Sequence, residues 1–70
     1  MTNKEYADVM NSLGFHNSWA VHNPWNGNME FYADEFKNEQ YGFCYVQFGI
    51  AVTREDKIQF LKELADEYLN

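Results

Sequence analysis

The alternation of apolar and polar positions divides the chain into a helix, three strands and a second helix. Tyr6, Val9, Met10 and Leu13 recur at helical spacing and predict an apolar stripe on a helix over about residues 3–13. Thr2 and Glu5 have capping-box spacing at its start, so each side chain can satisfy the other residue's orphan N–H. Gly14 stands where a left-handed cap residue belongs, and Phe15 follows as the usual hydrophobic contact. Trp19 and Val21 alternate with Ser18, Ala20 and His22, the period of a half-buried strand over residues 18–22. Pro24 cannot donate to a ladder and Asn26-Gly27 favours positive φ, so the chain turns there.

A second strand is expected over about residues 28–35, with Met29, Phe31 and Ala33 on one face and Glu30, Tyr32 and Asp34 on the other. Lys37-Asn38-Glu39-Gln40 reads as a polar turn. The third strand, about 41–52, is the longest. Cys44, Val46, Phe48 and Ile50 point one way, and Phe43, Tyr45, Gln47 and Gly49 the other, unless Gly42 or Gly49 carries a bulge. Thr53 and Asp56 have capping spacing at the start of a helix over about 54–69. Ile58, Phe60, Leu61, Leu64, Ala65, Tyr68 and Leu69 fall on its apolar face. Short connections favour neighbouring, antiparallel strands. The expected fold is therefore one α+β domain over residues 1–70 in the order α-β-β-β-α. Its three-stranded antiparallel meander carries both helices on one sheet face and leaves the other uncovered.

Composition supports a packed core. Hydrophobic residues make up 46% of the chain and aromatics 19%, against 23% charged, which excludes the profile of a disordered segment. The lone cysteine, Cys44, has no intramolecular partner, so no disulfide framework is expected. The polar start Met1-Thr2-Asn3-Lys4-Glu5 does not read as a signal peptide, and no apolar run is long enough for a bilayer. A cytoplasmic protein is the expectation.

Little in the sequence looks catalytic. His16 and His22 have no Cys or Asp neighbours at metal-ligand spacing, so neither a metal nor another cofactor is expected. Cys44 alternates with core residues and reads as a small hydrophobe. The glycines are scattered and form no phosphate loop. The protein is not expected to be an enzyme. Tyr32, Phe43 and Tyr45 could form a base-stacking platform, but Glu30 and Asp34 share that face where a stacking module needs a basic groove. Direct nucleic-acid binding is therefore disfavoured, and so is a membrane surface.

The charge points to a different partner. Eleven Asp and Glu against five Lys and Arg give a formal charge of −6, which repels phosphates and suits a basic protein. Glu30, Asp34, Glu35 and Glu39 cluster around the second strand and its turn, and Glu63, Asp66 and Glu67 at the end of the second helix. Acids in a last helical turn oppose the macrodipole, so helix stability did not select the second group. With Tyr32, Phe43 and Tyr45 among them, these residues form the expected binding surface. In size, charge and composition the whole chain resembles the small acidic inhibitors that phages use against host defence, such as anti-CRISPR proteins. That resemblance implies carboxylates standing in for phosphates in the basic groove of a nucleic-acid-binding effector complex. The alternatives are an immunity protein or antitoxin against a basic toxin, and a homodimeric structural or adaptor module whose aromatic face is its dimer interface.

Overall fold

The computed structural model describes residues 1–36 and 46–70 in full and residues 43–45 by their backbone. Helix α1 (Asn3–Ser12) begins with the Thr2–Glu5 capping box, in which the Thr2 hydroxyl accepts from the Glu5 N–H and the Glu5 carboxylate accepts from the Thr2 N–H. Leu13 caps its end, and Gly14 follows at φ 111°, a conformation that a side chain would strain. Helix α2 (Arg54–Leu69) carries the matching Thr53–Asp56 box. Arg54 then reaches back to Glu5 at 2.5 Å, joining the first turns of the two helices.

Between the helices, β1 (Trp19–His22) and β2 (Met29–Tyr32) form an antiparallel hairpin with Trp19 opposite Tyr32 and His22 opposite Met29. The connecting loop folds on its own polar groups. The Asn23 side chain accepts from the Trp25 N–H and the Asn26 side chain from the Asn28 N–H, and Gly27 takes φ 73°. Phe31 is fully buried at the centre of the inner face, 5.4 Å from the Tyr6 ring of α1 and 5.9 Å from the Phe60 ring of α2. Around it Met10, Ala20, Met29, Leu61, Leu64 and Ala65 belong to the same core cluster, with Phe15, Ala33 and Phe36.

This arrangement corrects the expected regular meander of three long strands, because the helices flank a two-stranded β1–β2 hairpin to which the third strand adds only a short edge. The sheet that the two helices flank is the β1–β2 hairpin, and the regular α-β-β-β-α order is broken after β2 by a short 3-10 turn, Asp34–Phe36. The third strand, expected to run to residue 52, ends at Val46: β3 (Phe43–Val46) lies antiparallel along β2 with Tyr32 opposite Phe43 and Met29 opposite Val46. Strand β2 offers only four residues for pairing, so neither neighbour can be longer in register. Beyond β3 the chain leaves the sheet: Val52 donates to the Gly49 carbonyl in a turn, and Ile50, expected in the core, is fully exposed.

The 3-10 turn has a parity cause. Continued extension beyond Ala33 would aim Glu35 into the core and Phe36 into water. Tightening the chain reverses both. Phe36 becomes fully buried, 5.5 Å from the Phe15 ring and 4.7 Å from that of Tyr68, while Glu35 turns to the loop after α1. Strand β1 also departs from expectation. Ala20 faces the core, and Trp19 and Val21, expected as the buried alternation, lie on the outer face. A small side chain at position 20 lets α1 pack directly over β1, and the pairing of Ala20 with Phe31 fixes the register. The expected turn at 37–40, the bulge at Gly42 and the core placement of the Cys44 side chain lie outside the described residues.

Candidate functional site

The outer face of the hairpin gathers the chemistry that the helices do not cover. Trp19 and Tyr32 are cross-strand partners, and their rings stack in parallel, 4.9 Å apart at 3°. Tyr32 donates its hydroxyl to one oxygen of Glu30 at 2.8 Å, and Asn23 donates its amide to the other at 3.0 Å. These two bonds, Asn23 first, hold the Glu30 carboxyl below the usual carboxylate range. Each oxygen keeps a further lone pair, so the group remains an acceptor of fixed orientation. Val21, 40% exposed, lies opposite Glu30, and half of Trp19 is open to solvent. At the hairpin tip Trp25 is 93% exposed. No Lys or Arg occurs between Glu5 and Phe36, so both strands and their loop lack a permanent cation.

The sequence-predicted site residues divide into four groups. Glu30 and Tyr32 are brought together as just described. Phe43 and Tyr45 are the register partners of Tyr32 and Glu30, so β3 continues the same face at backbone level; their side chains lie outside the described residues, as does Glu39. Asp34 and Glu35 are not on the strand face at all. Asp34 accepts from the Asn17 side chain at 2.8 Å, and its own N–H donates to the His16 carbonyl. Glu35 pairs with the His16 ring at 2.5 Å and accepts from the His16 N–H. Burial raises the Glu35 carboxyl, but the bonds from His16 outweigh it and leave the group lowered. Both acids thus staple the 3-10 turn to the loop after α1, where Asn17 takes φ 53°. The expected line of Glu30, Tyr32 and Asp34 is therefore broken at its third member. The fourth group, Glu63, Asp66 and Glu67, is exposed on α2, with Asp66 accepting from Asn70.

Trp19 and Asn23 were missing from the predicted site. The pattern of residues 18–22 fits either face, and only the pairing of Ala20 with Phe31 chooses between them. Among the described residues no group of three or more His, Cys, Asp and Glu could hold a metal ion, and no helix is long and apolar enough to cross a membrane. No protein-family model, curated protein or solved structure matches the chain.

Proposed function

We propose that the protein is a small acidic binding protein whose outer sheet face occupies an arginine-bearing basic surface of a target protein, in the manner of an inhibitor. The observation that carries this reading is the stacked Trp19–Tyr32 pair beside a carboxylate held from both sides by Asn23 and Tyr32. A guanidinium can lie against an aromatic face while its fork of donors meets a fixed carboxylate. The absence of Lys and Arg from β1, β2 and their loop leaves that field uncompensated, and a charge of −6 steers a basic partner toward it. The anti-CRISPR-like mechanism implied by the resemblance then takes a narrower form. Asp34 and Glu35 are engaged within the fold, so among the described residues the phosphate-like charge of this face reduces to Glu30, with the carboxylates of α2 acting at longer range.

Titration with a nona-arginine peptide, followed by NMR, tests this. Shifts should centre on the Trp19 indole and on Tyr32, weaken as salt rises, and exceed those from nona-lysine. Trp19→Ala with Glu30→Gln should abolish them. Shifts confined to Glu63, Asp66 and Glu67, with Trp19 and Tyr32 silent, would show that the acidity acts only as diffuse charge and would end the reading. Self-association of the free protein through Trp19 and Val21 would favour the adaptor alternative instead.

A further inference from the structure

A second recognition site lies at the other end of the inner face, where the first turns of both helices meet the hairpin loop. It is a cleft of about 210 Å³ lined by Met1, Asn3, Tyr6, His22, Gly27, Met29, Phe48 and Lys57. Its chemistry runs against that of the rest of the molecule. In a chain with a formal charge of −6, no Asp or Glu among the described residues lines it, whereas Lys57 and His22 do. Of the acids in the first turns of the helices, Glu5 is engaged with Arg54 and the Thr2 N–H and Asp56 with the Thr53 N–H, while Glu55 is exposed and does not line the cleft.

Apart from Asn3, the remaining walls are Met1, Gly27, Met29 and the rings of Tyr6 and Phe48. Phe48 stacks on Tyr6 with ring centroids 6.2 Å apart at 4°, and Lys57 Nζ lies 5.6 Å from the Phe48 centroid. Among the described residues Lys57 has no carboxylate within ion-pairing distance, so a cation is held over an aromatic wall with its charge unneutralised. Tyr6 is a core residue, only 2% exposed, that also lines the cleft, where its hydroxyl can meet a ligand. Burial also pushes the Tyr6 phenol up, so it remains a donor at neutral pH. Two helix N-termini, from Asn3 and Arg54, add positive potential at the same end.

We infer that this cleft binds an organic carboxylate with a compact apolar body, its charge met by Lys57 and the Tyr6 hydroxyl and its body packed on Met29 and Phe48. The volume is below the ~300–1,000 Å³ typical of drug-sized sites, which limits the occupant to a small acid or to the last residue of a chain with a free carboxylate. The site is separate from the outer face, and its test does not depend on the proposed function.

The experiment is an NMR titration of the intact protein with phenylacetate, with phenylacetamide as the neutral isostere. A short peptide ending in a free-acid phenylalanine and its C-terminal amide form the second pair. The free acids should shift Tyr6, His22, Met29, Phe48 and Lys57 in a saturable manner, with Kd about 1 mM or tighter. The neutral isosteres should bind about tenfold more weakly or not at all. Lys57→Met should weaken phenylacetate by about tenfold, and Tyr6→Phe, which keeps the ring stack, by a smaller factor. Tighter binding of the acid peptide than of phenylacetate would identify a chain terminus as the source; the reverse order would identify a free small acid. Equal binding of acid and amide, unchanged affinity in both variants, or no saturable shift from either acid would overturn the inference.

Discussion

Replacing Phe36 with alanine tests the reversal of side-chain parity that the 3-10 turn imposes. Phe36 is fully buried and makes two ring contacts, with Phe15 at 5.5 Å and with Tyr68 at 4.7 Å and 88°. Truncating a buried phenylalanine to alanine costs about 3–5 kcal/mol. Each aromatic pair adds about 0.5–1.5 kcal/mol beyond its buried area, which places this site toward the upper end. At about 0.05–0.15 kcal/mol per residue, a chain of 70 residues has a total stability of about 4–10 kcal/mol. Phe36→Ala should therefore remove a third or more of it. Phe36→Leu keeps most of the volume and should cost about 1–2 kcal/mol, leaving a folded variant to measure. Urea titrations followed by tryptophan fluorescence and far-ultraviolet circular dichroism give both values. Ile50→Ala is the control, because Ile50 is fully exposed and its loss should stay within about 0.5 kcal/mol. If Phe36→Ala cost no more than Ile50→Ala, β2 would continue in extended form with Phe36 in water, and the account of the turn would be refuted.

Acidification should destabilise the domain. Glu5, lowered first by Arg54 and then by Thr2, Glu30, lowered by Asn23 and Tyr32, and Glu35, lowered on balance by His16 against burial, all have folded values below 4.5. A group depressed in the folded state contributes stability that is full above its unfolded value and is lost as pH falls through the folded one. Urea midpoints should thus hold near neutrality and drop below pH ~4.5, with Glu35→Gln showing a shallower drop; a midpoint that rises on acidification would contradict the sign. Ser18→Ala should raise the melting temperature by a few degrees, since the Ser18 hydroxyl is buried without a partner among the described residues while its N–H keeps Asn11. A lower melting temperature would mean that the hydroxyl is satisfied in solution.

Local chemistry determined much of this protein from its sequence alone. The capping pairs Thr2–Glu5 and Thr53–Asp56 act within one turn, and so does the left-handed Gly14 after α1. Helix starts, the end of α1 and the inward face of Met29, Phe31 and Ala33 were legible for that reason. Long-range pairing decided the rest. Residues 18–22 fit either face until Ala20 met Phe31, and that register placed Trp19 and Val21 outside. The extent of β3 depended on how much of β2 was left to pair, which no property of residues 41–52 contains. Glu35 and Phe36 exchanged places because a charge aimed into the core and a ring left in water together cost more than the strand pairing that the turn gives up, a comparison that needs the core to exist. The candidate sites divide along the same line. Glu30 and Tyr32 lie two residues apart and were found by strand period. Their supports Trp19 and Asn23, and the cleft that joins Tyr6 to Lys57, come from segments that only the tertiary fold brings together.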